Sequence, residues 1–269
     1  MSLIAANYPK RIICLTEESV ETLYLLGKQD LIVGVSAYVK RPTEAQKLVK
    51  VSSFLKANVS KIKRLKPDLV LGFSDIQKDI AYELVAEGIE VWIANHRSLQ
   101  GVLDYILKLG ALVGASEQAL SLTESYIEKV RSIRQLSSSS TVMPKVYFEE
   151  WDEPIITGIQ WVGELIDICG GMDIFSNLRN ETLAKNRIIT REDVIAKNPD
   201  IFLGCWCGKP LQKDTVIARK GWDKITAIQN EQVHELPPEI FLQPGPALFE
   251  DGLDQLFALL QSQRSISVQ

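Results

Sequence analysis

The chain has 269 residues, 46% of them hydrophobic and 24% charged, an ordinary globular balance with room for two modest domains. A formal net charge of −4 excludes the basic face that nucleic-acid binding requires, and no run approaches the ~20 apolar residues of a membrane-embedded helix. The opening Met1-Ser2-Leu3-Ile4-Ala5-Ala6 lacks a basic n-region and a long apolar core, so the sequence as given reads as cytoplasmic, and as periplasmic or lipid-anchored if a leader has been trimmed. Of the four cysteines, Cys14 and Cys169 sit inside apolar runs as small core residues do, which argues for a reducing compartment rather than a disulfide framework.

In chain order, the first half alternates strand and helix. Strands are expected over Arg11 to Leu15, Leu31 to Ser36, Leu69 to Phe73 and Glu90 to Ala94. The helices between them cover Glu17 to Leu26, Ser60 to Leu65 with Ser60 as N-cap, and Lys78 to Glu87 ended by Gly88. From Leu99 to Leu136 the pattern is helical, broken only near Gly110 and Gly114. The part from Ser116 would span about 30 Å at 1.5 Å per residue. Ser137-Ser138-Ser139-Ser140 then reads as a loop.

The second half repeats the scheme: strand Lys145 to Glu149, helix Trp161 to Cys169 stopped by Gly170-Gly171, helix Arg191 to Lys197 capped by Thr190, strand Ile201 to Leu203, strand Val233 to Leu236, and a closing helix Ala247 to Leu260 after Pro246. This predicts an α/β chain of two lobes with mainly parallel sheets: an N-terminal lobe over 1–98, a connecting helical segment over 99–140 and a C-terminal lobe over 141–269.

Written duplication supports the two lobes. Lys66-Pro67-Asp68-Leu69-Val70-Leu71-Gly72 returns as Asn198-Pro199-Asp200-Ile201-Phe202-Leu203-Gly204, a helix stopped by proline, a short buried strand and a loop opened by glycine. In the same order, Pro9-Lys10-Arg11 answers to Pro144-Lys145-Val146, and Glu21 to Gly27 answers to Glu164 to Gly170, each an amphipathic helix ended by glycine.

Ligands of open parallel sheets sit beyond the carboxyl ends of strands. That rule nominates Thr16 to Ser19, Ser36 to Tyr38, Phe73 to Gln77, Asn95 to Arg97, Glu150 to Trp151, Gly204 to Lys209 and Pro237 to Gln243. The ligand-facing candidates there include Phe73, His96, Arg97, Trp151, Trp206 and Gln243. Enzyme chemistry finds no support: there is no Gly-rich phosphate loop, no His-Glu-x-x-His and no Gly-x-Ser-x-Gly, and the carboxylate pairs come without a base, nucleophile and oxyanion donor.

The order of Val33-Gly34-Val35-Ser36-Ala37-Tyr38, Val51-Ser52-Ser53-Phe54, Leu65-Lys66-Pro67-Asp68-Leu69-Val70, a long connecting helix and Gly170-Gly171 resembles the vitamin B12 and ferric-siderophore binding proteins of ABC importers. The resemblance runs from Pro9 to Leu260. It implies two α/β lobes joined by one rigid helix, a metal chelate held between them, and a monomer that docks on a transporter permease. Tyr38 falls on a corrin-contacting tyrosine and Phe54 on a corrin-stacking tryptophan, whereas a second-lobe tryptophan is replaced by Asn186. Of the two docking carboxylates, one matches Glu192 and the other falls on Ser60, flanked by Lys56, Lys61 and Lys63.

Cys205-Trp206-Cys207 places two thiols one residue apart at a strand-to-loop junction. Three readings stand: soft ligands for a metal or for the metal of a bound chelate, a loop in which Cys205 packs inwards, or a redox switch. His96 is either an axial ligand or a capped loop histidine, and His234 reads as structural. The sequence therefore points to a solute-binding protein for a metal-chelate cofactor, a corrinoid first and a ferric siderophore or haem second, with no covalent cofactor. The alternative is a leaderless cytosolic protein on the same scaffold that stores, senses or modifies a cofactor without docking to a transporter.

Overall fold

The structure is a computed structural model that describes residues 7–138 and 143–266. The opening hexapeptide on which the leader reading rests, and half of the serine run, lie outside the described residues.

The described residues divide into two compact units, one running to His96 and resuming over Gln100–Ser125, the other comprising Arg97–Leu99 and the chain from Tyr126 onward. The first contains β1 (Ile12–Cys14), α1 (Glu17–Leu25), β2 (Ile32–Ser36), β3 (Lys50–Ser52), α2 (Val59–Arg64), β4 (Leu69–Phe73), α3 (Lys78–Ala86), β5 (Val91–Ala94), and nearly all of α4 (Leu99–Leu112). Its sheet has the order β3-β2-β1-β4-β5 and is parallel throughout. Ile13, Leu15, Val51, Ile62, Val70, Ile80 and Leu84 form a core on one face of it. Helix α5 (Ser116–Ser137) carries the chain from the first unit into the second and runs through Ser137, where a loop is expected from the sequence.

The second unit contains β6 (Lys145–Asp152), β7 (Ile155–Thr157), α6 (Gln160–Ile168), β8 (Met172–Asp173), α7 (Arg191–Lys197), β9 (Ile201–Gly204), α8 (Lys213–Ile217), α9 (Thr226–Gln229), β10 (Val233–Glu235), α10 (Pro238–Phe241) and α11 (Leu253–Ile266). Its sheet runs β10-β9-β6-β7, with β8 on the start of β6. Only the β6–β7 pair is antiparallel. Strand by strand, β5-β4-β1-β2 is repeated as β10-β9-β6-β8, so the duplication in the text is a duplication of topology.

The repeated Pro-Asp has a mechanical reason. Asp68 accepts hydrogen bonds from the backbone N–H groups of Lys10 (2.7 Å) and Arg11 (2.9 Å), and its own N–H donates to the carbonyl of Arg11. Asp200 repeats this on Lys145, accepting at 2.7 Å and donating at 2.8 Å. Each aspartate thus pins the start of its unit's first strand against the next strand of the sheet, satisfying amides that no ladder reaches. The residue before each proline, Lys66 at φ 48° and Asn198 at φ 44°, is left-handed in both copies.

Several expectations need correction. The N-cap of α2 is Asn58, whose Oδ1 accepts from Lys61 N at 2.9 Å, not Ser60. The repeated glycine does not open a loop: Gly72 lies inside β4 and Gly204 ends β9. What it provides is space, since a Cβ at Gly72 would meet Ile93 at 2.6 Å and Gln77 at 2.8 Å, and one at Gly204 would strike Leu211. The closing helix starts as a wide π turn, Leu248–Gly252, before α11. Strands β3 and β7 were not anticipated, being three residues each. Thr190 does cap α7, through a reciprocal capping box with Asp193.

Candidate functional site

In the first unit the carboxyl edge of the sheet carries Tyr38, 59% exposed in the turn after β2, and Phe54, 37% exposed after β3. Phe73, half-buried at the end of β4, meets the His96 ring edge-on at 5.2 Å between centroids. His96 stacks on Tyr105 of α4 at 4.9 Å, and Tyr105 stacks on Trp92 of β5 at 5.4 Å. The rings of Trp92, His96 and Tyr105, with Asn95, Asp104 and Lys108, line a cavity of about 400 Å³.

A buried glutamine organises this edge. Gln77 accepts from Phe73 N at 3.0 Å and donates to the carbonyls of Leu15 and Phe54, both at 3.3 Å. One amide therefore fixes the ends of β1 and β4 and the loop after β3. In sequence, Gln77 looked like a loop residue, because the three backbone groups it serves lie up to 62 positions away.

Close by, α1 buries Glu17 and Glu18 in its first turn and Glu21 in the next. Glu17 accepts from the N–H groups of Lys40 (3.0 Å) and Arg41 (2.6 Å), and Arg41 pairs with Glu21 at 3.0 Å. Glu18 is 1% exposed, takes one hydrogen bond from the Thr16 hydroxyl, and leaves Oε2 buried without a partner. Burial pushes its carboxyl up to about 7, against the hydrogen bond from Thr16.

In the second unit the carboxyl edge is built on Glu149, fully buried near the end of β6. Arg219 grips it at 2.6 and 2.8 Å, Trp206 Nε1 donates to it at 3.1 Å, and the Tyr147 hydroxyl donates at 2.9 Å. The Arg219 guanidinium in turn lies 4.4 Å from the Trp222 ring centre. Above this cluster, Lys209 Nζ sits 4.3 Å from the Trp151 ring and 4.7 Å from the Trp206 ring and bonds Asp152 at 2.6 Å. Burial raises the Asp152 carboxyl, but the hydrogen bond and charge of Lys209 with the local backbone outweigh it, and the group is held below its usual range.

The remaining candidates scatter. Trp206 is only 2% exposed, so its indole serves the Glu149 cluster with little left to present. Cys205 is fully buried and Cys207 exposed. Burial raises the Cys205 thiol, and partial desolvation of the Cys207 sulfur raises it too although the residue is exposed; the carboxylate of Glu150 adds to both, so neither is poised as a thiolate. No group of three or more His, Cys, Asp or Glu among the described residues could hold a metal ion. Asn186 is exposed and donates to Glu181 at 2.9 Å, while its neighbour Arg187 is buried and pairs with Glu150 at 2.6 Å and with the Thr157 carbonyl. Gln243 is half-buried before the Pro244-Gly245-Pro246 turn, and Glu192 is exposed in the first turn of α7. Arg97 is half-buried at the chain's passage from the first unit. His234 is in β10 and bonds Gln232 at 2.9 Å, a structural role.

A family model described as periplasmic binding protein matches residues 12–240. The chain belongs to the periplasmic binding protein family. Among relatives, an uncharacterized ABC transporter substrate-binding lipoprotein of Bacillus subtilis, YvrC, is 28% identical over 92% of this chain and 79% of its own length. A vitamin B12-binding protein of Vibrio cholerae is 27% identical over 97% of this chain and 92% of its own. In fold, a possible iron-binding periplasmic solute-binding protein of Staphylococcus epidermidis superposes with a TM-score of 0.80 at 24% identity, over 94% of this chain and 99% of that one. The family resemblance read from Lys-Pro-Asp-Leu-Val and Gly-Val-Ser is thereby shown, as is the two-lobe α/β fold with mainly parallel sheets. No helix among the described residues is long and apolar enough to cross a membrane.

Proposed function

We propose that this protein is the solute-binding component of an ABC-type importer and that it captures a metal-chelate cofactor, a corrinoid in preference to a ferric siderophore or haem. The observation that carries the reading is the 27% identity to a vitamin B12-binding protein across 97% of the chain. In support, each unit presents aromatic side chains at the carboxyl edge of its sheet, Tyr38 and Phe54 in one and Trp151 in the other, suited to the faces of a large planar ligand. Phe73, His96, Arg97, Asn186, Trp206 and Gln243 complete the proposed set, Trp206 by fixing Lys209 and Trp151 from below. The protein binds and releases its solute without chemistry.

A second reading, the same scaffold acting without a transporter, is favoured by one observation: where the resemblance places a docking carboxylate, this chain has Ser60 between Lys56 and Lys61. Glu192, exposed as docking requires, favours the first.

The test is an ultraviolet-visible titration of the reduced protein with cobalamin, cobinamide, haem and a ferric catecholate, repeated on the Cys205→Ser, Cys207→Ser double variant. Saturable binding of one chelate is expected, and a band shift lost in the variant would put a thiol on the metal. Failure of all four to bind overturns the chelate reading.

A further inference from the structure

Trp151 lies in β6 and Trp206 just after β9, yet both turn a ring face to one point, and a carboxylate completes it. Lys209 Nζ sits there, 4.3 Å from the Trp151 ring, 4.7 Å from the Trp206 ring and 2.6 Å from Asp152 Oδ1. The walls owe nothing to the lysine. The Trp206 indole N–H donates to Glu149 at 3.1 Å, a carboxylate that Arg219 already grips, and the Trp151 indole N–H donates to the Glu153 carbonyl at 2.8 Å. Asp152 is set by its pairing with Ile155 across β6 and β7. Three groups are therefore aimed at one cation position by bonds made elsewhere.

The occupant is held differently. The Lys209 side chain is 39% exposed, so what covers the two ring faces is a solvent-facing group and not the core. The chain around it is tied down at Cys205 N, on the Glu149 carbonyl at 2.9 Å, and at Leu211 N, on the Glu235 carboxylate at 2.8 Å. Between these ties, among the described residues, the backbone of 206–210 makes no hydrogen bond, and Gly208 turns the chain at φ 78°. Withdrawing Lys209 thus breaks one ion pair and two ring contacts but no backbone bond. A free ammonium of similar size restores the contacts that are lost.

We propose that Trp151, Trp206 and Asp152 form a binding site for a small alkylammonium ion, primary or methylated, and that Lys209 is its resident, exchangeable occupant. Two ring faces and a carboxylate select for positive charge, and a neutral alcohol of the same size gains from neither. The tether presents Lys209 at an effective concentration on the order of millimolar, so a free ion competes with it only above that level, and removing the side chain opens the site. All three walls belong to the second unit, and the site does not depend on which chelate the protein carries.

The experiment is a titration of the full chain with n-butylammonium and with tetramethylammonium, followed by the indole N–H resonances in proton–nitrogen NMR. Ionic strength is held constant with sodium chloride, and butan-1-ol is the neutral control. In Lys209→Ala the Trp151 and Trp206 resonances should shift saturably with either ammonium at about millimolar concentration, and not with the alcohol. The parent should show the same shifts at concentrations about tenfold higher, since the tethered lysine competes. Adding Asp152→Asn to Lys209→Ala should weaken binding by roughly threefold or more. Shifts in Lys209→Ala that stay linear, or that butan-1-ol reproduces, would overturn the site. A parent whose indoles do not respond would show Lys209 to be a fixed structural contact and overturn the exchange. The parent titration needs no variant, so the proposal stays open to refutation should Lys209→Ala fail to fold. Chelate binding is read separately by absorbance, and failure here leaves the solute reading untouched.

Discussion

Arg219 and Glu149 form a two-pronged pair, 2.6 and 2.8 Å, in which the carboxylate is fully buried and the guanidinium side chain only 9% exposed. Removing the cation strands a charge in the interior, held only by the hydrogen bonds from the Trp206 indole and the Tyr147 hydroxyl. Arg219→Ala should cost about 3–5 kcal/mol in denaturant unfolding. Arg219→Lys, which keeps the charge but loses the fork, should lie between the two. An Arg219→Ala protein as stable as the parent would show the pair to be incidental.

Lys209, held between two indoles, keeps Trp151 in place at the rim of the second unit. Lys209→Ala should cost only about 0.5–1 kcal/mol, since the site is half-exposed. It should nevertheless red-shift tryptophan emission as Trp151 gains water. Asp152 is held below its usual range, so the contact should be fully present above about pH 4 and should weaken as pH falls through the depressed value. Acid fluorescence titration of the parent and of Lys209→Ala should therefore show the two differing above about pH 4 and converging as pH falls through the depressed value.

Glu18 works in the opposite direction. Its carboxyl is raised to about 7 in the folded chain, so between its unfolded value and about 7 the folded state holds the extra proton. Stability from this group is present at low pH and is lost as pH rises through that window. Glu18→Gln, which mimics the protonated form, should match the parent near pH 4.5 and exceed it by about 1–3 kcal/mol at pH 8. Unfolding curves at the two pH values check this, and an equal difference at both would sink it.

Two caps distinguish the N-terminus of α2. Asn58→Ala should destabilise by about 1 kcal/mol, because Asn58 satisfies Lys61 N. Ser60→Ala should fall within about 0.5 kcal/mol of the parent. The reverse order would restore Ser60 as the cap.

Lys66 is a non-glycine residue at φ 48° where its counterpart Asn198, at φ 44°, belongs to a type that tolerates the left-handed region. Lys66→Asn should stabilise the first unit by about 0.5–1 kcal/mol, whereas Asn198→Lys should cost more, about 1–2 kcal/mol, because the Asn198 side chain also accepts from Thr226 N at 2.8 Å and donates to the Thr226 hydroxyl at 3.0 Å. Thermal unfolding of both variants compares the duplicated corners directly.

Sequence alone determined the architecture. Strand-helix alternation, the repeated Pro-Asp and the glycine stops at Gly27 and Gly170 are local signals, and local signals suffice for two α/β halves with corresponding strands. The same text carried the family, because its motifs sit in the backbone frame rather than in the ligand's contacts. Tertiary structure alone decided which polar residues work together. Glu149 meets Arg219 across 70 positions, and Gln77 reaches Leu15 across 62. It also decided that Trp206 and Cys205 face inwards, and that Gly72 is required by a neighbouring side chain rather than by a turn. Burial of a charge or a hydroxyl depends on what the fold brings over it, and no periodicity in the chain records that.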